Sequence, residues 1–219
     1  MLLKNNYLHC IIIVLFALLL TYEYNSFIQT DKIYVQGFSD KYTQEVIRQI
    51  LNVHHYQLCV IYIFVPISMF LSSIFIALVI LLVIWIYYLD EVNFKIKFSD
   101  TWRIVLFAQW SSIAAMFTKI FWFGFIHTDY NLEELSYFYP LSFINFIDVK
   151  KFAIWFIYPI QLINVFEFIY WIVLVIGVKN LLSRTWLKSF EIVALSYGVI
   201  LTVWVVIVMF IVLNLSNSI

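Results

Sequence analysis

The stretch CVIYIFVPISMFLSSIFIALVILLVIWIYYL, residues 59–89, decides the fold of this chain. It belongs to a longer run, between Arg48 and Asp90, that contains no Asp, Glu, Lys or Arg. A helix needs about 20 predominantly apolar residues to cross roughly 30 Å of hydrocarbon, and this stretch is longer than that. The sequence therefore predicts a transmembrane helix here, either tilted or with Pro66 in its first turn.

The composition of the whole chain agrees with this reading. Hydrophobic residues make up 64% of the 219 residues, charged residues only 12%, and the mean hydropathy is +0.96. A soluble domain carries about 25% charged residues, so a soluble fold is excluded. The formal net charge is zero, which gives no basic field to hold nucleic acid, and we expect no nucleic-acid partner.

Four further segments are apolar enough to cross the bilayer. With residues 59–89 they predict an all-α fold, a polytopic transmembrane helical bundle of about five spans, the others lying at about 7–22, 102–126, 152–178 and 192–213. Lys4 precedes the first span, and no small-x-small cleavage pattern follows it. Residues 1–22 are therefore predicted to be an uncleaved signal anchor, and residues 59–219 a four-span membrane domain.

The connection between them, residues 23–58, is predicted to contain one amphipathic helix that starts near Ser39 or Asp40. Its apolar residues recur at three and four positions. This helix either lies on the membrane or bundle, or docks a partner. The candidate docking residues are Tyr42, Val46, Ile50 and Val53.

Basic residues in the connections predict the orientation. Seven lie on one side of the predicted spans and five on the other, and the richer side is expected to be cytoplasmic. This prediction places the N-terminus in the cytoplasm and the connection 23–58 outside. The seven are Lys4, Lys95, Lys97, Arg103, Lys179, Arg184 and Lys188.

Two ionisable residues, Lys119 and Glu167, lie well inside predicted spans, where such residues are costly and mark functional hypotheses. Lys119 shares a helix face with small residues that allow close helix contact, namely Ala108, Ser112 and Ala115. Asn164 lies three residues before Glu167, on the same face of the fourth span.

Three interpretations of this polar cluster stay open at this point. In the first, Lys119, Asn164 and Glu167 form a buried ion pair and hydrogen bonds that fix how two helices pack. In the second, they line a route for a proton or a small solute. In the third, Lys119 extends outward to the membrane surface or contacts another subunit. The expected offset of roughly 8 Å along the antiparallel helices allows a pair through the long lysine side chain.

Known catalytic and metal-binding patterns are missing from the sequence. His54, His55 and Cys59 lie close together, but no further ligands follow at a matching spacing. Nucleophile elbows, phosphate-binding loops and Rossmann glycine patterns are also absent. We therefore expect no catalytic residues, no metal and no cofactor.

The second half of the chain, from about residue 98, resembles the bacterial branch of the Yip (Ypt-interacting protein) family. Three pieces carry the resemblance: FSDTWRIVLFAQWSSIAAMF at 98–117, INVFEFIYWIVLVIGVKNLL at 163–182, and the basic turn and span SRTWLKSFEIVALSYGVILTVW at 183–204. The resemblance implies a five-span bundle without catalytic residues. The eukaryotic DLYGP signature is missing, so it does not imply GTPase binding.

From these features we expect a non-catalytic subunit that binds or organises partners in an inner-membrane protein assembly of a bacterial cell. Its expected contacts are the lipid bilayer and other integral membrane proteins. The alternative is a transporter or permease subunit that moves a proton or small solute past Lys119, Asn164 and Glu167.

Overall fold

The computed structural model describes residues 5–88 and 96–217 and confirms the predicted all-α membrane bundle. In those residues the only β-type pairing is an isolated bridge between Ser142 and Asn164. Five helical segments are long and apolar enough to cross a membrane: Asn6–Ile28, Gln44–Tyr87, Phe98–Ile126, Val165–Leu182 and Trp186–Ser216. The chain is thus a multi-pass membrane protein by length and composition of its helices.

Helix α1 (Asn6–Glu23) begins at the cap Asn5, whose side chain accepts from the backbone N–H groups of Tyr7 and Leu8. Its first residue ties it to the bundle. Asn6 Nδ2 donates to the Ser99 carbonyl (2.5 Å), and Arg103 Nε donates to Asn6 Oδ1 (3.1 Å). The predicted anchor helix is therefore packed against its own chain. We call this end of the bundle, marked by Asn6, Ser99 and Arg103, the basal end.

Helix α1 continues as a π-helical turn (Tyr24–Ile28), and the short helix α2 (Asp31–Phe38) follows. Next comes α3 (Gln44–Tyr87), a single helix of 44 residues. At about 1.5 Å per residue it is roughly 66 Å long, more than twice the hydrocarbon thickness.

The amphipathic helix predicted in residues 23–58 is not a separate element, because it forms the first part of α3. Helix α3 begins at Gln44, after the cap Thr43, instead of near Ser39 or Asp40, and it continues into the second span. The predicted boundary at 58/59 falls inside the helix. No Gly or Pro lies between Gln44 and Pro66 to end it, so one continuous hydrogen-bonded backbone forms.

Helix α4 (Phe98–Phe121) is central to the bundle and packs against α1, α3 and α7. Its residues Trp102, Val105 and Leu106 are almost fully buried. A π-helical turn (Trp122–Ile126) ends it, and the short helix α5 (Leu132–Tyr137) follows. We call the end of the bundle near Ile126 and α5 the distal end.

The predicted fourth span, 152–178, is divided in two. Helix α6 (Ile154–Leu162) ends before Asn164, and helix α7 (Val165–Leu182) begins after it. The Asn164 side chain accepts from the Glu167 backbone N–H (2.8 Å), which caps α7. The prediction of one continuous helix over residues 152–178 is therefore wrong. Asparagine is a favoured N-cap residue that can begin a new helix, and mean hydropathy does not detect it.

The chain ends in α8 (Trp186–Val193), a π-helical turn (Ala194–Gly198) and α9 (Val199–Asn217). Helix α9 packs on α6, where Trp204 Nε1 donates to the Tyr158 hydroxyl (2.9 Å). Arg184 lies over the Tyr88 ring near the basal end. Basic residues of separate elements thus lie at one end, in keeping with the predicted orientation, which stays a prediction.

Helices α4 and α7 pack tightly at Gly177. A Cβ atom at this position would overlap the side chain of Ile104. Leu174 and Val178, on the same side of α7, are fully buried. Glycine therefore lets the Ile104 side chain of α4 pack directly on the backbone of α7, and such small residues are enriched where helices associate in membranes.

Gly177→Ala is expected to lower the thermal unfolding midpoint of the detergent-solubilised protein by several degrees, because overpacking costs about 1–3 kcal/mol. The matched control is Gly124→Ala, whose new Cβ would lie 3.8 Å from Ile28 Cδ1, an ordinary contact. If Gly177→Ala unfolded at the same temperature as wild type, α4 and α7 would be able to move apart at position 177 without loss of stability.

Candidate functional site: a polar cavity around Glu167

A cavity of about 550 Å³ lies between α1, α3, α4, α7 and the turn that precedes α9. Methionine, isoleucine and valine side chains form part of its wall, and polar groups form the rest. The polar lining residues are Thr21, Tyr24, Asn25, Gln29, Ser72, Gln109, Ser112, Glu167, Tyr170 and Tyr197. Glu167 is the only acidic residue among the described lining residues, which include no Lys, Arg or His.

The carboxylate of Glu167 is held through one of its two oxygens. Oε1 accepts from Trp171 Nε1 (3.1 Å) and from the Tyr197 hydroxyl (2.8 Å). Within residues 5–88 and 96–217, Oε2 accepts no hydrogen bond. An ionised carboxylate accepts several hydrogen bonds, so half of its acceptor capacity is open to a ligand.

The helix start at Asn164 sets the position of Glu167. Since Asn164 is the cap, Glu167 falls in the first turn of α7, where the positive end of the helix dipole favours a negative charge. It lies ten residues before Gly177, or about 15 Å along the helix. Gly177 lies nearer the basal end, so Glu167 lies in the distal part of α7.

Tyr197 reaches Glu167 from the π-helical turn Ala194–Gly198. Such a turn shifts the side-chain register of a helix and is frequent at functional sites. Gly198 leaves room for the ring of Trp171, since a Cβ atom at position 198 would lie 2.7 Å from Trp171 Cη2. The rings of Tyr170 and Tyr197 are 4.8 Å apart. The carboxylate is therefore set in a cluster of aromatic residues.

Lys119 does not pair with Glu167. Its Nζ donates to the Leu135 carbonyl of α5 (3.0 Å) and lies 5.4 Å from the centre of the Tyr24 ring. The ion pair considered in the first interpretation is therefore not formed. The distal helix α5 supplies a carbonyl close to Lys119, and the ammonium group binds there instead of reaching toward Glu167.

Asn164 is likewise not a lining residue of the cavity. Its side-chain oxygen caps α7, and its Nδ2 donates to the carbonyls of Gln161 (2.9 Å) and Leu162 (3.2 Å). Of the three residues predicted to form one polar cluster, only Glu167 lines the cavity. The other two are fully engaged in holding helix ends together.

The three small residues expected to form a packing face on α4 differ in burial. Ala108 and Ala115 are buried. Ser112 is exposed and lines the cavity, whereas Ser111 is buried and donates to the Ala108 carbonyl (2.9 Å). Helix α4 thus has the cavity beside Ser112, and the packing face stays a prediction.

Three of the predicted docking residues, Val46, Ile50 and Val53, line a small groove of about 280 Å³ between α2 and α3. Tyr34 of α2 also lines it. Tyr42 lies outside this groove, before α3 begins, and its ring is 5.8 Å from that of Phe38.

His54 and His55 of α3 both contact side chains of α2. The His54 ring lies 4.3 Å from the Tyr34 ring, and His55 Nε2 is 2.9 Å from Asp31 Oδ1. In the described part of the chain, no group of three or more His, Cys, Asp or Glu side chains is arranged to hold a metal ion.

The sequence alone did not identify Gln109, Trp171 and Tyr197 as site residues. Trp171 follows Glu167 by four residues, so their helix neighbourhood was readable. Tyr197 and Gln109 come from other helices, and their contribution depends on how the bundle packs.

Lys119→Met is expected to loosen α5, because the Leu135 carbonyl loses its charged donor. A hydrogen bond to a charged group contributes about 1.5–3 kcal/mol, so amide hydrogen exchange in residues 132–138 should be at least about tenfold faster. The matched control is Thr118→Val, which removes a hydroxyl bonded only within α4. Unchanged exchange in Lys119→Met would mean that Lys119 does not tether α5.

Comparison of the chain with protein-family models, with curated proteins and with solved structures gave no match. The resemblance to the Yip family therefore stays a prediction. The chain is assigned to a class only, that of multi-pass helical membrane proteins with a polar cavity inside the bundle.

Proposed function

We propose that this chain is a transporter or permease subunit whose cavity binds a proton or a small solute at Glu167. The single observation that carries the proposal is the carboxylate of Glu167 in the cavity wall, with no basic side chain among the described lining residues. Its Oε2 has no hydrogen-bond donor within the described chain.

The carboxylate of Glu167 is half-buried in the first turn of a candidate membrane span. An ionisable side chain in such a place loses part of its hydration, which costs free energy. Two hydrogen bonds to Oε1 and the helix dipole offset part of this cost. The carboxylate has no cationic partner in the described cavity lining, so a proton would neutralise it, or a bound solute would hydrogen-bond to it.

The geometry around Glu167 suits repeated binding and release. Trp171 and Tyr197 hold Oε1 in place, so that binding at Oε2 need not rearrange the carboxylate. The serine hydroxyls of α3 and α4 and the amide of Gln109 offer further hydrogen bonds to water or solute. Lys119 has no part in this site, which removes it from the predicted pathway.

The partner-organising role is a second candidate, favoured by one observation. Val46, Ile50 and Val53, predicted from helical periodicity to dock a partner, do lie together in the groove between α2 and α3. We propose that, in this case, a segment of another integral membrane protein of the same assembly occupies the groove.

Glu167→Gln is expected to lower proton flux into proteoliposomes at least about tenfold, because the amide cannot take up and release a proton at neutral pH. Flux is measured with an enclosed pH-sensitive dye under an imposed membrane potential. The matched control is Glu191→Gln, an exposed carboxylate of α8 that is not among the cavity residues. Equal flux in wild type and Glu167→Gln would contradict a proton pathway through this residue.

A labelling experiment then separates proton from solute binding. In a Cys10→Ala, Cys59→Ala background, Ser112→Cys is treated with cationic and neutral thiosulfonate reagents of equal size. Faster reaction with the cation, lost on Glu167→Gln, supports solute binding at the carboxylate. No reaction with either reagent would show that the cavity is closed to solutes.

For the second candidate, gentle extraction of tagged protein and mass spectrometry should recover a stoichiometric membrane partner. Val53→Glu should release it, because a charge in the groove is costly to bury against another helix. Asn52→Glu, a charge at an exposed position of α3 outside the groove, is the control. Recovery of the protein alone would exclude a stable assembly.

A further inference from the structure

An apolar groove lies on the outer surface of the bundle between α7 and α8, and one of its lining residues is Glu167. Its volume is about 820 Å³. Apart from the carboxylate, it is lined by Leu162, Ile163, Phe168, Trp171, Ile172, Val175, Trp186, Leu187 and Phe190. Hydrocarbon is the natural occupant of such a surface in a membrane, and the carboxylate at its edge needs a separate explanation.

Glu167 is a member of both linings, that of the central cavity and that of the groove. Its two hydrogen-bond donors come from the two sides. Trp171 lines the groove, Tyr197 lines the cavity, and both donate to Oε1 (3.1 and 2.8 Å). The carboxylate therefore stands at the junction between a lipid-side hydrocarbon surface and a polar interior.

The groove follows α7 from Glu167 to Val175, a rise of eight residues or about 12 Å. Glu167 lies at one end of this stretch, so a hydrocarbon chain in the groove has one end beside the carboxylate.

The chemistry at that junction selects the head group. Oε2 lacks a donor within the described residues, so the head must donate a hydrogen bond. A charged head would carry a desolvation cost of its own among the apolar residues of the groove, whereas a neutral hydroxyl is far less costly to bring in. The neighbouring rings of Trp171 and Tyr197, 5.5 Å apart, offer apolar faces to the body of the ligand.

We infer that the ligand of this site is a neutral amphiphile whose hydroxyl head donates to Glu167 and whose hydrocarbon tail lies in the groove between α7 and α8. It enters from the bilayer and not from water. This inference rests on the proposed function, since it takes Glu167 as the ligand-binding group and names the ligand.

The test uses three matched probes with the purified full-length protein in detergent micelles. 4-Decylphenol has the hydroxyl and the tail, 4-decylanisole replaces the donor by a methyl ether, and phenol lacks the tail. Native mass spectrometry over a concentration series reports the bound number and the apparent affinity. We expect one 4-decylphenol per chain, and at least tenfold weaker binding of both other probes.

Two variants with a control assign the contacts. Glu167→Gln should weaken 4-decylphenol about tenfold, because a neutral acceptor replaces a charged one. Ile172→Trp should fill the groove and weaken it as much, whereas Ile169→Trp, on the same helix but outside the groove, should leave binding unchanged. A circular-dichroism melt of each variant confirms that it is folded.

Equal affinity of 4-decylphenol and 4-decylanisole, or no effect of Glu167→Gln and Ile172→Trp, would overturn the inference. Such a result leaves the proposed function standing if proton flux or cation labelling at position 112 still depends on Glu167. If that dependence is lost as well, both fail.

Discussion

The close contact between α4 and α7 is the constraint on which the rest of the bundle depends. The Ile104 side chain lies where a larger residue at position 177 would have its Cβ atom. This contact fixes how far the two helices are shifted along each other. Ten residues above it, Glu167 comes level with the part of α4 that contains Ser112, and both residues line the cavity. Membrane helices gain little from burying apolar surface against each other. The tight packing of a side chain on a glycine therefore has to determine which helix faces pair.

The helix break at Asn164 is the second determinant of the site. By ending α6 and starting α7, it puts Glu167 into a first helical turn, where the helix dipole favours the charge. Broken helices inside a membrane need partners for their free backbone groups. Here the loop before α6 supplies them, since Phe143 N donates to Ile163 O and Val165 N donates to Leu141 O.

Lys119 and Glu167, both half-buried, have different partners, and their separation explains the character of the cavity. Lys119 is satisfied by the Leu135 carbonyl at the distal end, where it holds α5 against the bundle. Glu167 is left with neutral partners, Trp171 and Tyr197. An ion pair would have neutralised both residues and closed the site, whereas the observed arrangement leaves a negative group next to both the polar cavity and the lipid-facing groove.

The sequence by itself determined the membrane class, the all-α fold, the five spans and Glu167 as a residue of interest, because apolar run length and buried charge are local properties of a chain. Sequence reasoning was wrong about where helices begin and end, because several local signals compete there. The examples are α3, which is one uninterrupted helix, and α7, which begins after the cap Asn164. Only the tertiary structure decided the partners of Lys119 and Glu167 and the contribution of Tyr197 and Gln109. Those contacts join residues from separate helices, and their distances follow from helix register and tilt, which periodicity does not encode.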